Sequence, residues 1–304
     1  MGITILPGPA LRERTTLQLG GTCRAELVLA CEADAEALPA TLRETGGMPL
    51  VLGFGSNILA CDGELDLTIV TPPIGTGPEA VRQDVTCNCD EAVFVRCGAG
   101  VRLPRLLAWL GERGLSGLEG LAGIPGSVGG AVAMNAGSYG VEIGARVNRV
   151  RVFTETHGLV WMGPTDVTLG YRHFSVKGLA RDALCVVLEV ELAMTPAPAM
   201  DIKAAMAAHM AQKRATQPIT EASAGCVFKN PAPGVSAGKL LDDAGFKGFA
   251  LGGMAFSTMH ANFMINTGGG TAAQALELLD LARERVRERF GHTLQTEVRV
   301  CPCL

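Results

Sequence analysis

Apolar residues change their period several times along the chain, and the changes mark its elements. Leu103, Leu106, Leu107 and Leu110 fall at i, i+3, i+4 and i+7, one stripe of an amphipathic helix. Around that stripe, short runs of β-compatible residues read as strands: Ala25 to Leu29, Leu50 to Leu52, Leu67 to Val70, Ala92 to Cys97, Val147 to Thr154, Leu159 to Met162, Cys185 to Leu192 and Leu294 to Val300. Helical patterns return at Asp34 to Glu44, which must absorb Pro39 as a kink or a late start, and then at Ile202 to Thr216 and Ala237 to Ala244. The last helix spans Thr271 to Phe290, with Thr271 placed to cap it and Gly291 to end it. Thr195-Pro196-Ala197-Pro198 is the best linker candidate. The pattern predicts an α+β protein of two or three packed units, mixed over the first ~75 residues, strand-dominated from about Val81 to Thr195 and more helical beyond.

Three glycine loops interrupt this pattern. Gly53-Phe54-Gly55-Ser56-Asn57 follows an apolar strand, and Gly98-Ala99-Gly100 links another strand to the Leu103 helix. The third, Gly123-Ile124-Pro125-Gly126-Ser127-Val128-Gly129-Gly130 onward to Asn135 and Gly137, carries no charged side chain. Glycine admits positive φ and lets another molecule approach the main-chain N–H groups, which suits a diphosphate or an isoalloxazine edge. The bland alternative is a set of tight turns that bind nothing. A Rossmann turn at Gly98 is disfavoured, because Leu103 stands where its third glycine belongs and no repeated βαβ pattern surrounds it.

Length and charge narrow the class. At 304 residues the chain exceeds what one growing core accommodates. Although 48% of residues are hydrophobic, no apolar run approaches the ~20 needed to span a bilayer, and no secretory signal is visible; we expect a cytoplasmic protein with no membrane partner. Net charge is −4. The run Arg283, Arg285, Arg287 and Arg289 ends a helix that carries Glu277 and Asp280 earlier, an order that complements the helix dipole and reads as a solvated helix end, so nucleic acid is not an expected partner. The ten cysteines are expected to be free thiols. Neither Cys87-Asn88-Cys89 nor Cys301-Pro302-Cys303 has the second pair or histidines that a metal site needs, so no metal is expected.

Three polar clusters at element ends carry candidate chemistry: Tyr171-Arg172, Gly225-Cys226-Val227-Phe228-Lys229-Asn230, and Glu297. An arginine offers a permanent bidentate cation for a carboxylate, and a thiol or carboxyl can deliver a proton where negative charge develops. Taken singly, each has a bland reading as a surface ion pair, a small buried hydrophobe or a solvated strand residue.

Together with Thr15 to Gly21, Gly117 to Gly137, Ala237-Gly238-Lys239-Leu240, His260-Ala261-Asn262-Phe263 and Leu294 to Val298, these segments resemble the UDP-N-acetylenolpyruvoylglucosamine reductase family, in family order and over nearly the whole chain. The lack of extra residues around Lys247 to Gly253 resembles its shorter type. The resemblance implies a two-part FAD-binding fold of the vanillyl-alcohol-oxidase type in 1–75 and 76–197, and a substrate domain in 198–304. It implies that FAD takes hydride from NADPH and passes it to the enolpyruvyl group of a UDP-sugar for peptidoglycan synthesis, with no obligatory protein partner. Arg172 and Glu297 would stabilise the enolate and Cys226 would protonate it. Gly53 to Asn57, Gly98 to Gly100, Gly123 to Ser127, Gly129, Gly130, Asn135 and Gly137 would hold the cofactor. Tyr171, Arg214, Lys229, Asn230, Lys239, His260 and Asn262 would face the substrate. Another FAD-dependent oxidoreductase and a non-catalytic flavin-binding redox sensor remain the rival readings.

Three departures from the family pattern stand out. Cys226 replaces the usual serine, and a thiol, with pKa of ~8.5, is a stronger acid than an alcohol. Phe174 and Val176 stand where the family has Ser and Phe behind Arg172, and Gln295 replaces a glutamate, leaving Glu297 alone.

Overall fold

The computed structural model describes residues 2–81, 92–180 and 183–301; Cys87-Asn88-Cys89 and Cys303 lie outside them. The chain forms two compact units, one of Met1–Leu6, Ala25–Gly53 and Thr68–Gln212, the other of Pro7–Arg24, Phe54–Leu67 and Lys213–Leu304. Both are assembled from segments distant in sequence, whereas the three expected parts are consecutive stretches.

The first unit is built on a six-stranded antiparallel sheet in the order Gly158–Met162, Val147–Thr154, Cys185–Pro196, Val93–Gly98, Glu79–Val81, with Leu115–Ser116 also paired to Cys185–Pro196. Val150, Val152, Val190 and Leu192 alternate inward and join Leu103, Leu106, Leu107 and Leu110 of the Leu103–Arg113 helix in one core. Pro104 is tolerated in that helix's first turn, where its missing N–H has no partner to lose, and Gly114 ends the helix at φ 66°. A register shift between the pairs Arg151↔Glu189 and Val152↔Val187 makes Leu188 an extra residue and reverses the faces beyond it. Val186 and Leu188 therefore pack into a second core with Leu27, Leu29, Leu38, Val70 and Phe153.

On the sheet's other face Glu191 is fully buried and accepts from Arg149 Nε and Nη2, both at 2.9 Å, Arg96 Nη2 at 3.0 Å and Asn148 Nδ2 at 2.8 Å. Burial alone would push this carboxyl up, but those hydrogen bonds outweigh it and hold it below the ordinary carboxylate range. Of the expected linker at Thr195 to Pro198, Thr195 and Pro196 are instead the end of a twelve-residue strand, opposite Ser116 and Leu115, and only Ala197-Pro198 connects it to the Ala199–Thr216 helix. Pro39 is accommodated by a late start, a 3-10 turn over Glu32–Ala37 giving way to the Leu38–Thr45 helix with the proline in its first turn.

In the second unit, strands Ser223–Cys226, Phe263–Asn266, Met254–Phe256 and Ala250–Leu251 form a sheet in that order, and Ile58–Ala60 pairs in parallel with Arg299–Cys301. Phe228, Phe246, Phe256, Leu278, Leu279 and Val286 fill its core. Thr271 and Gln274 form a capping box on the Ala272–Phe290 helix, and Gly291 closes it at φ 72°, as the pattern predicts. Within the arginine run, Arg285 lies 4.7 Å over the Phe246 ring, covering the core as well as meeting solvent. The expected strand over Leu294 to Val300 is shorter, Arg299–Cys301, because 294–298 is engaged elsewhere. Cys23, Cys31, Cys97, Cys185, Cys226 and Cys301 are free thiols, while Cys61 is disulfide-bonded, contrary to expectation. No helix among the described residues is long and apolar enough to cross a membrane.

Candidate active site

The glycine loops of the first unit converge. Gly129 N–H donates to Ala99 O at 2.8 Å, Val128 N–H to Val101 O at 2.9 Å, and Leu103 N–H to Gly126 O at 2.9 Å, tying the Gly98 and Gly123 loops together. Gly53 abuts Ser127, where an added Cβ would stand 2.6 Å from the Ser127 hydroxyl, and that hydroxyl accepts from Gly130 N–H at 3.1 Å. Some of these glycines answer to the protein itself. Side chains at Gly98 and Gly100 would strike the backbone of Pro73 to Gly75. Gly123 and Gly126 adopt φ of 82° and 118°, which L side chains rarely take.

The N–H groups of Gly98, Ala99, Ile124, Gly129 and Gly130 are spent inside the protein. Those of Gly53, Gly100, Gly123 and Gly126 are not among the donors of the described hydrogen bonds. A surface of close-packed backbone with donors to spare fits a dinucleotide's diphosphate and flavin edge. Pro125 has no N–H to add to it. The rest of the first loop belongs to the second unit, where Gly55, at φ 62°, packs on the backbone of Arg14 and Thr15, and Asn57 Nδ2 donates to Glu297 O at 3.1 Å. Phe54 is exposed and Ser56 half-buried.

Arg172 sits at the turn between strands Val167–Gly170 and His173–Val176, at φ 51°. Its Nη2 donates to Gly137 O at 2.9 Å and its guanidinium lies 5.2 Å from the ring of the exposed Tyr171. The unusual Phe174 and Val176 both pack against the main core, so the space behind Arg172 is filled. Asn135 is buried, and its amide is engaged by the protein: Nδ2 donates to Glu142 Oε2 and Gly170 O, both at 2.9 Å, and Oδ1 accepts from Gly144 N–H at 2.8 Å.

Cys226 and Glu297 belong to the second unit, in adjoining segments. Cys226 pairs with Phe263, while Glu297 N–H donates to Val227 O at 2.8 Å and Lys229 N–H to Gln295 O at 2.9 Å. These bonds take 294–298 away from the terminal strand. Asn262 is buried and clamps Phe228, donating to its O at 2.8 Å and accepting from its N–H at 3.0 Å, which fixes the segment carrying Cys226 and Lys229. Asn230 Oδ1 accepts from Ala237 N–H at 3.0 Å, and Lys239 is exposed and paired with Asp243 at 3.0 Å. His260 stacks edge-on against Phe263 at 5.0 Å, and burial pushes its pKa down. Arg214 is exposed.

Two residues escaped the sequence reading. Lys213, next to Arg214, is 3% exposed, and burial pushes its pKa down to about 8. Its signal was its phase, since Ile202, Met206, His209 and Lys213 fall on one helical stripe. Glu142 gave no signal, because its role depends on contact with Asn135.

The model for the UDP-N-acetylenolpyruvoylglucosamine reductase C-terminal domain matches residues 217–301, and that for an FAD binding domain matches 27–163. Proteins named UDP-N-acetylenolpyruvoylglucosamine reductase from Oleidesulfovibrio alaskensis and Nitratidesulfovibrio vulgaris are each 49% identical to this chain, over 98% of it and 98% of their own length. The chain belongs to the UDP-N-acetylenolpyruvoylglucosamine reductase family. The solved reductase of that family from Thermus caldophilus is 32% identical, covers 99% of both chains and superposes with a TM-score of 0.77. The expected fold, an FAD-binding part followed by the reductase family's C-terminal domain, is therefore borne out, as is FAD as cofactor.

Proposed function

We propose that Arg172, Cys226 and Glu297 carry the second half of the reductase reaction. The chain is an FAD-containing oxidoreductase that reduces UDP-N-acetylenolpyruvoylglucosamine to UDP-N-acetylmuramate at the expense of NADPH, in peptidoglycan synthesis. FAD bound there would supply the hydride chemistry, linking NADPH oxidation to hydride delivery at the β-carbon of the enolpyruvyl group. Gly53, Gly100, Gly123 and Gly126 offer it backbone donors. Arg172 then grips the substrate carboxylate as a planar cation and stabilises the negative charge that hydride arrival creates. Glu297 completes the polar surround of that charge, and the Cys226 thiol gives its proton to the α-carbon, leaving a thiolate that solvent reprotonates. Tyr171, Arg214, Lys229, Asn230, Lys239 and His260 serve the sugar nucleotide, with Asn262 holding the segment in place. We also propose the division into 1–75, 76–197 and 198–304, and a cytoplasmic location without an obligatory protein partner.

The observation that supports this assignment most directly is the Glu297 N–H to Val227 O bond, which brings the carboxyl-bearing residue beside the one that follows Cys226. Rapid mixing tests it. Arg172→Ala should be reduced by NADPH at the normal rate yet fail to pass hydride to substrate. Cys226→Ala should lose on the order of 10²–10⁴ in α-carbon protonation. Equal damage to both half-reactions would refute the division of labour.

A further inference from the structure

Arg172 occupies a backbone conformation that a non-glycine residue adopts only when its surroundings impose it, at φ 51°. Its surroundings meet at one buried side chain. Gly170, two residues before Arg172, gives its carbonyl to Asn135 Nδ2. Gly137, whose carbonyl receives Arg172 Nη2, lies in the Gly137–Ser138 strand that pairs with Val141–Glu142, and Glu142 gives its Oε2 to the same Asn135 Nδ2. Asn135 itself stands at φ 45°, locked by Gly144 N–H.

Glycine usage supports the same constellation independently. A Cβ on Gly144 would fall 2.5 Å from Asn135 Oδ1. One on Gly137 would fall 2.8 Å from Glu142 Cγ and 3.1 Å from Arg172 Nη1. Neither glycine has room for a side chain beside these groups.

We propose that Asn135 and Glu142 are positioning residues for Arg172: the amide, fixed by the Glu142 carboxyl, ties the hairpin carrying the Gly137 carbonyl to the turn carrying the arginine, and so sets the guanidinium against the substrate carboxylate. The inference rests on the assignment of Arg172 above. It also moves Asn135 from the flavin cradle to the support of the arginine. Misplacement of a binding group by 1 Å costs on the order of 10² in rate, so a loosened tie is measurable without unfolding.

The test uses the flavin-loaded enzyme. Glu142→Ala removes the acceptor at a half-buried position, while Glu142→Gln retains an oxygen for Asn135 Nδ2. Asn135→Ala is the stronger perturbation, but its buried site can simply unfold. The readouts are flavin reduction by NADPH, single-turnover reoxidation by UDP-N-acetylenolpyruvoylglucosamine, and affinity for UDP-N-acetylmuramate, which bears the carboxylate, against UDP-N-acetylglucosamine, which lacks it. Glu142→Ala should slow reoxidation and weaken UDP-N-acetylmuramate binding by about tenfold or more, and leave flavin reduction and UDP-N-acetylglucosamine affinity within about twofold. Glu142→Gln should recover most of the loss.

Equal weakening toward both nucleotides, or equal slowing of both half-reactions, overturns the proposal by showing a general structural role. Arg172→Ala separates the two claims. If it loses carboxylate discrimination while Glu142→Ala keeps it, the positioning role alone falls. If Arg172→Ala keeps discrimination, the assignment of Arg172 falls and the positioning role with it.

Discussion

Gly129 and Gly130 are neighbours in the short Val128–Ala133 helix, yet the structure predicts opposite consequences when each receives a methyl group. At Gly129 the new Cβ would lie 2.6 Å from Ala99 Cβ and 3.2 Å from Ala99 O. Ala99 O is main chain and Ala99 Cβ is bonded directly to it, and that main chain is held by the Gly129 N–H to Ala99 O bond, so neither can step aside cheaply. Overpacking of this kind costs about 1–3 kcal/mol, against a helix-propensity gain of at most about 1 kcal/mol for replacing glycine by alanine, leaving a net loss of about 0–2 kcal/mol when that gain is realised in full. At Gly130, which is exposed, the Cβ meets only Ser127 Oγ at 3.1 Å. That small crowding subtracts from the same propensity gain, so the flavin-free protein should change by between 0 and +1 kcal/mol, roughly.

Urea unfolding of the two flavin-free variants measures these differences, and titration with FAD then separates packing from cofactor approach. Gly129→Ala should lose stability first and flavin affinity as a result. Gly130→Ala should keep or gain stability, so any drop in FAD affinity reports direct contact with the cofactor. A Gly129→Ala variant more stable than the parent would refute the packing argument for the junction of these two loops.

Three more outcomes follow from buried charges and thiols. The folded state lowers the Lys213 pKa to about 8, so the unfolded chain binds more protons above that pH; the penalty is complete below about pH 8, and stability should rise between pH 8 and 9 by less than about 1.4 kcal/mol. Lys213→Met should flatten that slope in unfolding curves measured at both pH values, and an unchanged slope refutes the cause. Burial pushes the Cys97 thiol up to about 12 and the Cys185 thiol up to about 11, so both should resist iodoacetamide at pH 8 until the protein is denatured; mass-spectrometric detection of native-state labelling at the rate of a free peptide thiol would contradict this. Glu191→Ala leaves Arg149 and Arg96 without their shared carboxylate and should cost about 2–4 kcal/mol in denaturant unfolding, below the fully buried case because Arg149 is 38% exposed and can turn to solvent.

Local signals carried much of the fold. The leucine stripe of the Leu103–Arg113 helix, the capped ends of Ala272–Phe290 and the alternation in Val147–Thr154 each depend on residues close in sequence, so they are readable there. Failures arose where distant partners decide. Thr195 and Pro196 look like a linker until Ser116 and Leu115 supply a ladder, and Leu294 to Val298 looks like a strand until Phe228 and its neighbours take its hydrogen bonds. Glycine marks loops that converge in the fold, but for mixed reasons, since Gly98 and Gly100 yield to the backbone of Pro73 to Gly75 before any ligand is considered. Asn135 reads as a ligand contact because its motif is visible in the sequence, whereas the bonds of its amide to Glu142 and Gly170 are visible only in the fold.

The second unit draws some of its hydrogen bonds from stretches of chain more than 200 residues apart, and this has a consequence during synthesis. Thr16 Oγ1 donates to Ser223 O across 207 residues, Asp62 accepts from Ala272 N–H across 210, and Asn57 donates to Glu297 O across 240. At translation rates of roughly 5–20 residues per second, Asp62 leaves the ribosome roughly 10–40 s before its partner exists. Leu17, Leu19 and Leu59, fully or almost fully buried in the finished core, share it with residues from Ala224 onward that are not yet made during that interval. The nascent chain thus carries sticky early segments whose burial is governed by elongation speed and chaperone access, and slowing the ribosome over codons 213–297 should raise the aggregated fraction without altering a single residue.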